Sequence, residues 1–127
     1  MRANQMTQTI IGAAIEVHRH LGPGLLERAY EVALSQELTL QHVPYQQQKR
    51  LPLTYKGMAL PVRYQLDLLA WETVVVEVKA VETLLPVHEA QLLTYLKLGG
   101  YPVGLLLNFN VPQLVDGIVR RVHHLQE

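Results

Sequence analysis

The chain is 127 residues long, with 49% hydrophobic and 17% charged residues, which excludes a disordered chain and suits one domain spanning 1–127. Its 11 Lys and Arg balance its 11 Asp and Glu, so it is no bulk polycation and any nucleic-acid contact needs a local basic patch. Cysteine is absent, which excludes disulfides, zinc thiolate sites and thiol catalysis. No apolar run is long enough to span a bilayer and no apolar signal segment follows Met1, so a cytoplasmic protein without a membrane partner is the expectation.

In chain order, Ile10, Ile11, Ala14, Val17 and Leu21 recur at helical spacing. They predict a helix from about Thr7, which with Thr9 is a candidate cap, to Leu21. Gly22-Pro23-Gly24 stops it. A second helix is predicted over about Leu25 to Gln41, with Leu25, Ala29, Val32 and Ala33 as its apolar stripe and a break at Val43-Pro44. His20 in the last turn of the first helix suits the helix dipole. His18 borders the apolar stripe and reads as a packed or hydrogen-bonded side chain rather than a ligand.

Tyr45 to Tyr55 is extended, and Lys56-Gly57 marks a hairpin turn from which a strand returns through Met58 to Ala70. Pro44, Pro52 and Pro61 suggest strand starts, bulges or an edge. Lys49, Arg50, Lys56 and Arg63 are the densest basic group in the chain. They fit a solvated edge guarded against aggregation better than a phosphate-contacting rim, because the group is small.

The sequence is organised around two runs, Val62 to Ala70 and Val74 to Ala80, which read as strands joined by a tight turn at Trp71-Glu72-Thr73. Alternation puts Glu77 and Lys79 on the face of Val75 and Val81, and the hairpin sets Asp67 opposite or diagonal to Glu77. Two carboxylates so close repel, and burial adds to the cost. A hard divalent cation removes most of it. A structural Asp/Glu–Lys cluster or a solvated face is the plainer reading of the same pattern. Trp71 reads as a packing or interface residue rather than a base-stacking platform.

Val81 to Leu85 is a connection, and Pro86 suits the first turn of a helix that runs to about Leu98 and ends at Gly99-Gly100. Its apolar positions are Val87, Ala90, Leu92, Leu93, Leu96 and Leu98; His88, Gln91 and Tyr95 share one face. Tyr101 to Phe109 reads as a buried strand. Strand, helix, strand implies a βαβ crossover, with the strand of Leu105 parallel to that of Glu77. Alternation between Leu114 and His124 suggests a final strand. The fold class is α/β: an N-terminal helical hairpin, then a mixed β-sheet with a βαβ crossover.

Gly24-Leu25-Leu26-Glu27-Arg28-Ala29-Tyr30 resembles the signature of the GxxExxY protein family. Asp67, Glu77-Val78-Lys79, the run from Pro86 to Lys97 and the run from Gly104 to Pro112 are similar to that family in the same order, over nearly the whole chain. The family is grouped with the PD-(D/E)XK nuclease-like superfamily, so the resemblance implies a restriction-endonuclease-like core. Gln91-Leu92-Leu93-Thr94-Tyr95 further resembles the QxxxY motif of RecB-type and λ-exonuclease-like members. The chain departs in one respect: Leu66, not Pro, precedes Asp67, at a position that varies in the superfamily.

The resemblance implies a metal-dependent nuclease hydrolysing phosphodiesters in DNA or RNA. Asp67 and Glu77 would bind one or two Mg²⁺ or Mn²⁺ ions. The Val78 carbonyl would complete the shell, and Glu27 would be a further acidic ligand or water-orienting group. Lys79 would position the attacking water and stabilise charge on the phosphate. Gln91 and Tyr95 would orient Lys79 or contact the scissile nucleotide, with Tyr30 and His88 as further candidate substrate contacts. Taken without the resemblance, Tyr30 reads as a packed core edge with its hydroxyl satisfied. Glu27 then reads as a solvated residue near a helix N-terminus, and His88 as either pocket lining or ordinary surface. Two alternatives stand beside the nuclease: a nucleic-acid-binding or repair accessory protein that keeps the fold without efficient turnover, and an interaction module in which the charged cluster merely survives. Nucleic acid, with DNA favoured, is the expected partner, and a homodimer would let so small a domain embrace a duplex.

Overall fold

The computed structural model describes residues 1–125. Helix α1 spans Ala3–Leu21 and α2 spans Glu27–Leu40. Strands β1 (Tyr45–Leu51), β2 (Thr54–Tyr55), β3 (Met58–Ala59), β4 (Tyr64–Ala70) and β5 (Val74–Lys79) follow. Then come α3 (Pro86–Gly99), β6 (Val103–Asn108), a 3₁₀ turn (Leu114–Gly117) and β7 (Ile118–Val122).

Five strands form one sheet in the order β1-β4-β5-β6-β7. Only β5 and β6 are parallel, and α3 connects them, so the βαβ unit lies at the centre of the sheet. The other pairings are antiparallel. Strand alternation divides the core between two faces. Leu68, Val74, Val76, Leu105 and Leu107 pack with Ile10, Ala14, Leu34 and Leu38 of α1 and α2. Leu69, Val75 and Leu106 pack with Leu92, Tyr95 and Leu96 of α3. The sheet is therefore a middle layer with apolar side chains on both faces, β6 is buried throughout and β5 is buried up to its last residue, Lys79.

Several local expectations change. α1 begins before Thr7, which is a buried helical residue whose hydroxyl donates to the Asn4 carbonyl at 3.2 Å rather than a cap. The stripe expected on α2 is displaced. Leu25 and Val32 are 42% and 47% exposed, and the buried face is Tyr30, Glu31, Leu34, Ser35 and Leu38. Two of those residues are polar and satisfied inside the fold, which an apolar count does not register. The small β2–β3 hairpin turns on Lys56 and Gly57, both at positive φ as a two-residue turn requires, but its return strand stops before β4 begins. Past β6, the segment read as one strand is split into the 3₁₀ turn and β7.

His18 is buried, and its Nε2 hydrogen-bonds the Val111 carbonyl at 2.8 Å, tying α1 to the loop after β6. Among the described residues, no helix is long and apolar enough to cross a membrane.

Candidate functional site

The hairpin of β4 and β5 turns through Trp71 and Glu72, both at φ 51. Its regular pairing runs Ala70 with Val74, Leu69 with Val75 and Leu68 with Val76. The next residues along are Asp67 and Glu77, and there the ladder changes character. The Asp67 N–H donates to Glu77 Oε2 at 2.8 Å, and the Val78 N–H donates to Asp67 Oδ2 at 2.8 Å. Side-chain carboxylates have replaced backbone carbonyls as acceptors, each serving the other strand, so no backbone donor is orphaned. The two acids expected to meet across the hairpin are thus brought together by reciprocal bonds.

This arrangement is electrostatically tense. Glu77 is 6% exposed. Burial, and after it the charge of Asp67, push its carboxyl up to about 8, against the opposing pull of the Asp67 N–H and the Lys79 ammonium. Asp67 is also raised, chiefly by burial, with the Val78 N–H opposing and Glu31 adding to the rise. The pair therefore takes up a proton more readily than either carboxyl would in water.

Glu31 was not singled out by sequence reasoning. It lies at the inner face of α2 and is almost wholly buried. Gln47 Nε2 donates to its Oε2 at 2.8 Å, Gln48 Nε2 to Oε1 and Oε2 at 2.8 and 2.9 Å, and Arg28 pairs with it at 3.0 Å. Its place four residues after Glu27 on the same helical face was the available signal. Glu27 itself is solvent-exposed at the first turn of α2 and raises Asp67 as the smallest of the stated causes.

Lys79 ends β5, half-buried. Among the described residues, no ion pair holds its ammonium. It lines an open cavity of about 710 Å³ together with His88, Gln91 and Tyr95 of α3. Gln91 Nε2 donates to the Tyr95 hydroxyl at 2.8 Å, and burial followed by the charge of Glu77 raises the Tyr95 phenol. His88 Nδ1 accepts the Leu85 N–H at 3.0 Å, capping α3, so that nitrogen carries no proton. Asn108, opposite Lys79 in the sheet, staples the connection after β5: Oδ1 accepts the Val81 N–H and Nδ2 donates to the Val81 carbonyl.

Tyr30 stands apart from this cavity. It is fully buried and stacked on Phe109 at 4.6 Å, and its hydroxyl donates to the Gly22 carbonyl at 2.5 Å while accepting the Leu25 N–H at 3.1 Å. A ring so enclosed has no face for a substrate, so the substrate contact expected of Tyr30 gives way to a packing role.

The cluster of Asp67, Glu77 and Glu27 expected to share a metal is not assembled either. Among the described residues, no group of three or more His, Asp or Glu side chains is arranged to hold an ion. Glu27 is out in solvent, while Glu31, the acid nearer the centre, has its oxygens turned on glutamines. What remains toward a cation is a partial donor set. Asp67 Oδ1 and Glu77 Oε1 carry no hydrogen bond among the described residues, and their type is right for a hard divalent ion.

A mixed five-stranded sheet, with a helical hairpin before it and a helix crossing between its parallel strands, defines a restriction-endonuclease-like core carrying a D…E-x-K hairpin. Residues 4–122 match the PD-(D/E)XK nuclease superfamily, and the chain belongs to that superfamily. No curated protein and no solved structure was found to match the chain.

Proposed function

We propose that this protein binds nucleic acid, DNA in preference to RNA, as a repair-type accessory protein that keeps the nuclease fold without efficient turnover. One observation carries this reading. The acids of the site are engaged with the protein's own donors: Asp67 and Glu77 with each other's strands, and Glu31 with Gln47 and Gln48. Meanwhile the unpaired Lys79 ammonium and the α3 residues Gln91, Tyr95 and His88 line an open cavity. Membership of a nuclease superfamily supports nucleic acid as the ligand. The finer grouping with GxxExxY proteins rests on Gly24, Glu27 and Tyr30 in their spacing.

A second reading, metal-dependent phosphodiester hydrolysis, is favoured by the cost of the acid pair. Two carboxylates held together, Glu77 buried and raised to about 8 and Asp67 half-buried, form a place where a cation would replace a proton. Asp67, Glu77 and the Val78 carbonyl would hold Mg²⁺ or Mn²⁺, with Glu27 or Glu31 oriented toward its waters. The ion would supply a water of lowered pKa and neutralise charge on the phosphate. Lys79 would hold the scissile phosphate in place, and Gln91 and Tyr95 would fix the wall beside it.

Two measurements separate the readings. A labelled DNA oligonucleotide should bind in EDTA, and plasmid and single-stranded substrates should survive Mn²⁺. Cleavage in Mn²⁺ that is lost in Lys79→Ala would overturn the accessory reading and establish the enzymatic one. Independently, Mn²⁺ should leave the melting temperature unchanged under the first reading. Under the second it should raise Tm by mass action, more at pH 8 than at pH 6, with loss in Asp67→Asn and Glu77→Gln. Light scattering with and without DNA tests the dimer: a monomeric mass in both states rules it out.

A further inference from the structure

We propose that the cavity beside Lys79 is a subsite for an unpaired nucleobase, so that the nucleic acid this protein takes is single-stranded or locally opened. The inference rests on the nucleic-acid reading above and adds the strand state.

The cavity holds about 710 Å³, within the range of sites that enclose a small organic group, and is far too small to admit a base-paired double helix. Its walls have two chemistries. Tyr64, Val87 and Leu98 are 40%, 63% and 41% exposed, a run of apolar surface that the fold leaves uncovered. Lys79, Gln91 and Thr94 line the same cavity and give it a cationic and polar component. Tyr64 leans on the buried Tyr95, ring centroids 6.1 Å apart and tilted by 55°, so its position is braced from one side while the ring remains accessible.

A nucleotide has this same division: a flat apolar ring with polar edges, and an anion a few bonds away. A base laid on Tyr64 and the apolar wall would bring its phosphate toward Lys79, which no salt bridge holds among the described residues. Hydrogen bonding at Gln91 and Thr94 suits base edges without demanding one sequence. A base still stacked in a duplex presents only its edge and cannot use the ring of Tyr64.

The test is equilibrium binding of the 127-residue chain in EDTA, which keeps cleavage out of the readout. Two probes of equal length are compared: a single strand carrying 2-aminopurine, and a blunt duplex. The single strand should bind at least about tenfold tighter, with 2-aminopurine emission changing on binding. Tyr64→Ala should weaken single-strand binding by roughly five- to a hundredfold, the range of one lost base–aromatic stack, and abolish the emission change. Val87→Trp, at an exposed helix position that leaves the core intact, should fill the cavity and block the single strand. Equal affinity for both probes, or single-strand binding unaffected by both substitutions, would overturn the subsite while leaving nucleic-acid binding in place. Binding of neither probe would remove the broader reading and the subsite with it.

Discussion

At the scale of single residues, the Gly and Tyr of the Gly24–Tyr30 signature are built for folding rather than chemistry. Gly22 and Gly24 sit at φ 67 and 101, where a side chain is strained, and the Tyr30 hydroxyl closes the turn they make by bonding Gly22 and Leu25. Tyr30→Phe removes that bridge and leaves a part-buried carbonyl and N–H without it. The expected cost is about 1–3 kcal/mol in urea unfolding, with DNA affinity unchanged; loss of affinity at full stability would give Tyr30 a ligand role after all. Glu77 makes a prediction of opposite character. A carboxyl at about 8 when folded, against an ordinary 4.5, binds its proton more tightly in the native state. Its contribution is whole below pH 4.5 and is lost as pH rises toward 8, falling by about 1.4 kcal/mol per pH unit and about 5 kcal/mol at most. The urea midpoint should therefore drop between pH 5.5 and pH 8, and Glu77→Gln should flatten that slope and exceed the parent at pH 8. Parallel pH profiles would mean that the pair carries no such proton.

At the scale of elements, the close seating of α3 on β6 sets the cavity wall. A Cβ at Gly104 would come within 2.7 Å of Leu92 Cδ1 and 3.1 Å of Leu96 Cδ2, and both leucines are buried, so they must shift within the core. Gly104→Val should therefore cost about 1–3 kcal/mol and, by lifting α3, move Gln91 and Tyr95 away from Lys79 and weaken single-strand binding. Retained stability together with full binding would show that α3 is seated otherwise. The elements differ in how legible they were. The hairpin of β4 and β5 and the crossover through α3 were readable because long apolar runs are punctuated by clear stops at Trp71-Glu72-Thr73, Pro86 and Gly99-Gly100. The buried face of α2 was not, because Glu31 and Ser35 occupy core positions and look solvated in sequence. Ser35 is satisfied locally by the Glu31 carbonyl, but the Glu31 carboxylate is met by Gln47 and Gln48 of β1, more than a dozen residues away, and Gln48 reaches it from a backbone at φ 54 that no local pattern announces. The site divides the same way. Asp67, Glu77 and Lys79 follow from strand alternation, whereas Glu31 and Tyr64 join the site or its cavity only through tertiary packing.

At the scale of the whole molecule, charge decides how nucleic acid is held. Eleven cations against eleven anions leave no general field to draw in a polyanion. Lys49 and Arg50 lie on β1, an edge strand of the sheet, and Lys56 sits over the Tyr55 ring at 5.4 Å in the small hairpin. The cation facing the cavity is Lys79. Binding driven by one or two phosphate contacts and a stacked base should respond weakly to salt, because each neutralised phosphate of a single strand contributes about 0.7 to the slope of log K against log salt. The slope should then be about −0.7 to −1.4, and Lys79→Ala should reduce its magnitude by about 0.7, whereas Tyr64→Ala should lower affinity at every salt concentration with the slope unchanged. That pair of signatures separates the anion-holding part of the cavity from its ring-holding part within one titration series. A slope steeper than about −5 that survives Lys79→Ala would instead place the contact along the β1 edge, through Lys49 and Arg50, and the cavity would no longer be where nucleic acid is held.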